Sequence, residues 1–304
     1  MTDASDNGTT RAGFVAILGA SNVGKSTLLN RLVGTKVSIV SPKVQTTRTR
    51  VLGIALEGPT QVIFVDTPGI FRPRRRLDRA MMAAAWAGMD DADLTAVMVD
   101  AARGYDEDSR AIVARLKDLG KTAVLVLNKV DLVNKEKLLP LAAELDAEGV
   151  FERTFMVSAE KGSGAEDLMA FFTGSMPEGP WLFPEDQVSD MPMRMLAAEI
   201  TREQVFRQLH EELPYAITVE TENWEERPDG SVRVDQVVYV QRPGQKGIVL
   251  GKAGKRARAI GSAARQELEI ILEQTVHLFL FVKVREGWQD DPERFREMGL
   301  DYNA

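Results

Sequence analysis

The chain has no cysteine in its 304 residues, which removes disulfides, thiolate metal sites and cysteine nucleophiles together. Histidine is almost as scarce. His210 and His277 are the two present; they lack the spacing of a zinc site or a Ser-His-Asp triad and read as structural or surface residues. No apolar run reaches the ~18 residues needed to cross a bilayer, which excludes a transmembrane helix. The N-terminal MTDASDNGTTRAG lacks the apolar stretch of a secretory signal and carries Asp3 and Asp6, so residues 1–11 are expected to be a disordered tail and the chain to be cytoplasmic. A global excess of basic charge is missing too. Thirty-eight Lys and Arg face 45 Asp and Glu for a net charge of -7, which by itself argues against nucleic acid as a partner.

What is present is the balance of a globular protein, 44% hydrophobic and 27% charged residues, at a length that predicts two domains. From Phe14 to about Met176, short apolar runs alternate with amphipathic segments of helical length. The runs cover 14–18, 51–56, 61–65, 95–99, 123–127 and 154–158. This pattern predicts an α/β fold with a doubly wound sheet. The second and third runs are joined only by Glu57 to Thr60, too short for a crossover, so one antiparallel strand is expected in an otherwise parallel sheet. PEGPWLFPED has linker composition, with few contacts expected across it. Beyond it the sequence predicts a helix over about 193–211, two strands joined at Pro228-Asp229-Gly230, a basic helical region over 247–272 and a strand over 275–284. The expected divisions are a domain over 12–176, a linker over 177–192, an α+β domain over 193–287 and a tail over 288–304 in which Trp288 caps the final strand.

The first strand runs into Gly19-Ala20-Ser21-Asn22-Val23-Gly24-Lys25-Ser26-Thr27, a phosphate loop in its required strand-to-helix setting. Its glycines turn backbone amides inward around phosphate oxygens at a helix N-terminus. Lys25 is placed on the β- and γ-phosphates, and the Ser26 hydroxyl on magnesium. Asp66-Thr67-Pro68-Gly69 follows the third strand; Asp66 is expected to reach magnesium through water and the Gly69 amide to sense the γ-phosphate. Asn128-Lys129-Val130-Asp131 selects the base. The Asp131 carboxylate matches the two donors of guanine, and adenine would leave it unpaired. Ser158-Ala159-Glu160 is expected to offer the Ala159 amide to the guanine carbonyl oxygen. In the loop before the hairpin, Thr47 is the expected second magnesium hydroxyl, with Thr46 next in line. Ile70 stands where many regulatory GTPases have a water-orienting glutamine, so slow intrinsic hydrolysis of GTP to GDP is expected. Asn22 either stabilises its loop or, as in GTPases similar at this position, holds a potassium ion beside the phosphates.

Between Arg242 and Arg265 seven basic residues occur with no acid, reversing the charge of the whole. Within that stretch lies Gly251-Lys252-Ala253-Gly254, a GxxG loop before an expected helix of about 18 residues. A KH domain has this arrangement, in which the glycine loop admits nucleic-acid backbone while bases lie in an apolar groove. Lys252, Lys255, Arg256 and Arg258 are the expected phosphate contacts, and Ile248, Val249 and Ile260 the expected groove residues. The run Arg72 to Arg76 reads as a solvated loop or, less simply, as a second contact to RNA.

The stretches NVGKSTLLN, QTTRTR, VDTPGI, NKVDLV, FPED, ELPYAITVE and GQKGIVLGKAGKRARAIG resemble the Era family of bacterial ribosome-assembly GTPases over nearly the whole chain. The resemblance implies a Ras-like P-loop GTPase domain followed by a type II KH domain, GTP and magnesium as ligands, and the 3′ end of small-subunit (16S) ribosomal RNA in the 30S subunit or its precursors as partner. It also implies peripheral contact with the inner cell membrane. Ala20-Ser21 departs from the usual Arg-Pro of the family and leaves the phosphate-binding glycines and Lys25 intact. A tRNA-modifying GTPase shares the loop asparagine but carries a C-terminal cysteine motif, and this chain has no cysteine. The same motifs are also compatible with a non-catalytic RNA-binding protein that keeps GTP as a fold ligand, and with a membrane-surface GTPase.

Overall fold

The computed structural model describes residues 9–43, 46–71, 73, 75–210 and 213–304. Six strands form the N-terminal sheet: β1 (Arg11–Gly19), β2 (Val51–Glu57), β3 (Thr60–Asp66), β4 (Leu94–Asp100), β5 (Ala123–Asn128) and β6 (Phe151–Val157), in the order β2-β3-β1-β4-β5-β6. β2 alone runs antiparallel, because Gly58 takes a left-handed conformation (φ 57°) in the two-residue turn to β3. The four central strands are apolar nearly throughout, as burial on both faces requires. One face is covered by α1 (Lys25–Val33) and α5 (Ala165–Ser175), which bury Leu28, Leu29, Leu168 and Phe172. The other carries α2 (Arg76–Asp90), α3 (Glu107–Leu119) and α4 (Lys135–Asp146), through Ala85, Ile112, Leu116 and Leu145 among others. α3 shows how local chemistry sets these helices: the Asp106 carboxylate accepts from the Ser109 amide at 2.9 Å, and Gly120 ends the helix at φ 60°.

The C-terminal domain follows the order α6 (Met193–Gln208), β7 (Ile217–Glu226), β8 (Val232–Val240), α7 (Pro243–Leu250), α8 (Lys255–Leu272), β9 (Val276–Val284). Its sheet is β7-β8-β9, antiparallel and then parallel. Helices α6, α7 and α8 lie on one face and pack Ala198, Val205, Val249, Ile260 and Leu268 against the sheet.

Three expected divisions differ from the structure. Arg11, assigned to the tail, opens β1, while residues 1–8 lie outside the described residues. The linker, expected to carry few contacts, is docked on the first domain: Ile54 donates its amide to the Val188 carbonyl at 2.9 Å, and Gln61 bonds the backbone of Leu182 and Phe183. The physical reason is that β2 is an edge strand whose outward amides need acceptors. The C-terminal segment folds into α9 (Pro292–Glu297) and turns away from β9 to lie on α2, where Phe295 and Leu300 join Leu77, Ala80 and Met81.

Candidate nucleotide and nucleic-acid sites

The loop between β1 and α1 lines a cavity of about 340 Å³ together with Gly69, Arg103, Lys129 and residues 39–42, 46 and 47. Gly24 sits at φ 104°, and a side chain there would come within 2.3 Å of Asn128 Nδ2, so only glycine fits. Asn128 staples the site: Nδ2 donates to the Val23 carbonyl at 2.7 Å and Oδ1 accepts the Ala159 amide at 2.9 Å. That second bond differs from the expectation that the Ala159 amide is held ready for guanine. Arg31, which sequence reasoning missed, fixes the same loop by donating to the carbonyls of Ala159 (3.2 Å) and Glu160 (2.8 Å). The Ser158 hydroxyl accepts the Lys161 amide. Lys129, at φ 65°, bonds the Asn22 carbonyl at 2.7 Å and pairs with Asp100 at 2.6 Å. Asp131 stands exposed in the turn after β5, where its carboxylate is accessible to a ligand.

At the other end Lys25 Nζ donates to the carbonyls of Gly19 and Ala20, each at 3.0 Å. Burial pushes its pKa down to about 8, with Asp66 opposing the shift. The Ser26 hydroxyl lies 2.8 Å from Asp66 Oδ2 and 3.0 Å from the Thr47 hydroxyl. Asp66 is fully buried; burial raises its pKa against the pull of Lys25, and Oδ1 has no hydrogen-bond partner. Ser38, which also donates to Asp66 Oδ2, at 2.9 Å, joins Ser26 and Thr47 there, and three hydroxyls around a carboxylate with an unsatisfied oxygen form the all-oxygen set that suits magnesium, which takes few protein ligands and keeps waters and phosphates for the rest. Among the described residues no group of three His, Asp or Glu side chains is placed to hold a metal ion. Thr46 is turned elsewhere: its hydroxyl donates to the Lys43 carbonyl at 2.7 Å and shares a bond with Ser41. The geometry therefore favours Thr47. Asn22, at φ 65°, donates to the Pro42 carbonyl at 2.8 Å. Ile70 is buried, and its amide bonds the Gly19 carbonyl at 3.0 Å.

The segment between α1 and β2 is also tied to the second domain. Lys36 pairs with Glu203 and Glu267, Lys43 donates to the Phe206 and Leu209 carbonyls, and Arg202 donates to the Thr46 carbonyl. Arg48 is buried among the carbonyls of Pro214, Tyr215 and Ile217. Its pKa falls to about 9 through burial and then the charge of Arg202, and the carbonyl acceptors keep the guanidinium charged at neutral pH. Gln45, Arg72 and Arg74 lie outside the described residues, whereas Arg75 caps α2 and Arg76 stacks over Tyr302.

In the C-terminal domain α7 stops at Gly251, and the backbone is left-handed at Gly251, Ala253 and Gly254 (φ 67°, 52° and 73°) before α8 begins. The loop exposes Lys252, Lys255, Arg256 and Arg258, and Arg256 steadies it by donating to the Ile248 carbonyl at 3.2 Å. Beside it a groove of about 400 Å³ runs between α8 and β9, with Ala257, Gly261, Ser262, Leu278 and Leu280 in its walls. Val249 and Ile260, expected to face bases, are instead fully buried in the domain core. α7 and α8 turn these residues onto the sheet, and Ile248 remains half-exposed. The wall residues escaped sequence reasoning because they are small or lie on β9; their signal was the i, i+4 spacing of Ala257 and Gly261, which lets a ligand approach a helix backbone.

The family model described as a 50S ribosome-binding GTPase matches residues 14–129, and one described as a KH domain matches residues 212–289. GTPase Era of Rhizobium meliloti (strain 1021) is 63% identical over 293 residues, 96% of this chain and 94% of that protein. GTPase Era of Mesorhizobium japonicum is 59% identical over 304 residues, covering 99% and 98%. Among solved structures, Aquifex aeolicus Era, as a point variant bound to GDP and aluminium fluoride, is 40% identical with a TM-score of 0.90, covering 95% of this chain and 99% of that one. An Era complex with MgGDPNP and nucleotides 1506–1542 of 16S ribosomal RNA aligns with the same identity, TM-score and coverage.

Proposed function

The chain belongs to the Era family of GTPases, and from that premise we propose that it reads the 3′ end of small-subunit ribosomal RNA during small-subunit assembly and maturation, in the cytoplasm, with GTP controlling the reading. The observation that carries this is the GxxG loop, with its exposed basic rim beside the groove of α8 and β9, in a chain 40% identical to an Era solved with 16S ribosomal RNA. Lys252, Lys255, Arg256 and Arg258 supply salt-sensitive phosphate contacts, and the groove supplies the base-facing surface.

In the GTPase domain, Lys25 and the loop amides neutralise the β- and γ-phosphates, and Gly69 presents its amide where the γ-phosphate ends. Magnesium is held by Ser26 and Thr47, with Asp66 acting through water, and supplies charge neutralisation to the phosphates. Ile70 has no group to orient the attacking water, so intrinsic hydrolysis is slow. With the Asn22 nitrogen committed to Pro42, the side-chain oxygen is the atom open to a potassium ion, and potassium joins the proposal as a second cation. The bonds from Lys36, Lys43, Thr46 and Arg48 to the KH domain support a coupling in which ordering of this segment by GTP changes how the groove is presented. Peripheral membrane contact enters the proposal through the family resemblance alone; among the described residues no helix is long and apolar enough to cross a membrane.

The test of RNA recognition is the affinity of a short RNA of the 16S 3′-terminal sequence for the wild type and for Gly254→Asp. A side chain at 254 meets no neighbour within 4 Å, so the substitution places a carboxylate in the phosphate path at the cost of strain confined to the loop. The proposal expects affinity to fall about a hundredfold with the salt dependence reduced. Equal affinity for both proteins removes the KH groove as the RNA site.

A further inference from the structure

The segment after β9 touches the KH sheet through Arg294, which pairs with Glu220 of β7 and lies 4.9 Å from the Tyr239 ring of β8, while the large apolar side chains it carries are all buried or partly buried elsewhere. Trp288 is 1% exposed, and its Nε1 donates to the Ala216 carbonyl at 3.1 Å. Its ring lies 5.6 Å from the Arg48 guanidinium carbon, so the first residue of the segment touches the residue next to Thr47. Gln289 bonds the Tyr215 carbonyl at 2.8 Å and accepts from Arg75 at 3.3 Å. Asp291 caps α9 and pairs with Arg285 at 2.7 Å. Phe295 and Leu300, 1% and 6% exposed, then close over Leu77, Ala80 and Met81. Tyr302 stacks edge-on against Phe295 at 5.1 Å and lies under Arg76 at 4.3 Å. The part of α2 covered is its first two turns, the end that follows Gly69 and Ile70.

One short segment thus contacts both loops that face the γ-phosphate position, the first through Arg48 and the second through the start of α2. We propose that residues 288–302 are an intramolecular positioning element for GTP hydrolysis, with Phe295 and Leu300 acting on Gly69 through α2 and Trp288 acting on Thr47 through Arg48. Phosphoryl transfer to water depends on placement more than on covalent chemistry, and a displacement of about 1 Å in the positioning groups can cost a hundredfold in rate. Without an orienting side chain at Ile70, the backbone around Gly69 carries more of that placement. Its freedom is limited from one side by the bond between the Ile70 amide and the Gly19 carbonyl, and from the other by the anchored start of α2. The inference rests on the GTPase reading and is independent of RNA.

The experiment is steady-state GTP turnover, without RNA, by the full chain and by the double variant Phe295→Ala, Leu300→Ala, alongside GDP affinity and deuterium uptake over residues 75–82. The expected result is a kcat lowered about tenfold or more, GDP affinity within about twofold of the wild type, faster exchange over α2, and recovery of most of the rate in Phe295→Leu. A kcat unchanged or raised while α2 exchanges faster overturns the proposal, because the segment then covers α2 without positioning it. Should the double variant fail to fold, the wild type still decides: exchange over 292–302 is expected to differ between GDP and a non-hydrolysable GTP analogue, and identical protection in both contradicts it. A wild type without turnover would count against the GTPase reading instead.

Discussion

Arg48 Nη1 donates to the carbonyl of Ile217 at 2.8 Å, a bond between the residue after the candidate metal ligand Thr47 and the first strand of the KH domain. The same guanidinium stacks over Phe206 at 5.7 Å and Trp288 at 5.6 Å. A buried cation with carbonyl acceptors and two aromatic faces is costly to remove, because truncation leaves those carbonyls unpaired.

Arg48→Ala is therefore expected to destabilise the protein by about 2–4 kcal/mol in urea unfolding. Arg48→Lys recovers only part of this, since one ammonium cannot span the same acceptors. A change below about 0.5 kcal/mol would mean the interface stands without the residue.

Thr47→Ala is expected to lower magnesium-dependent GTP turnover at least tenfold, while Thr46→Ala stays within about threefold. The distinction comes from hydroxyl placement: Thr47 lies 3.0 Å from the Ser26 hydroxyl, and Thr46 is committed to Lys43 and Ser41. A magnesium titration of both variants checks it, and the reverse ranking would reassign the ligand.

Asp131→Asn is expected to weaken GTP binding about a hundredfold, the ~3 kcal/mol of charged hydrogen bonds lost. The new amide can instead donate to the extra carbonyl of xanthine, so xanthosine triphosphate should gain affinity. Competition of the two nucleotides against labelled GDP measures the exchange. Unchanged preference would place base selection elsewhere.

Nucleotide binding should also depend on pH through Lys25. Its folded value is lowered from 10.5 to about 8, so between those values the folded state binds fewer protons than the unfolded one. The cost of burying the charge is thus fully present below pH 8 and is relieved as pH rises, which makes the nucleotide-free protein gain stability over that window. Phosphates need the ammonium form, so GDP affinity should be flat below pH 8 and weaken above it, by at most about tenfold per unit. Calorimetry from pH 7 to 9 reads this directly, and affinity constant to pH 9 would contradict it.

Much of this architecture is legible in the sequence because its signals are local. The phosphate loop lies between an apolar run and a helix, the hairpin shows in a gap too short to cross over, and Asn128-Lys129-Val130-Asp131 follows directly on another apolar run. The domain interface is hidden for a physical reason. α6 buries Thr201, Arg202, Glu203 and Gln204 as well as Leu196 and Phe206, because it is sandwiched between the GTPase segment and its own sheet. A helix buried all round with polar residues has no amphipathic stripe to read. Val249 and Ile260 are misplaced by sequence because an apolar residue beside a glycine loop looks the same whether it faces the core or a ligand. The C-terminal segment is equally opaque, since Phe295, Leu300 and Tyr302 are too sparsely spaced to reveal a partner as distant in the chain as Leu77 and Met81.

The coupling of nucleotide to RNA is tested most directly by GTP turnover in potassium buffer, with and without a short RNA of the 16S 3′-terminal sequence, using Gly254→Asp as control. Stimulation by RNA in the wild type and none in the variant is the predicted result. Turnover indifferent to an RNA that demonstrably binds would make the two domains independent and contradict the coupling.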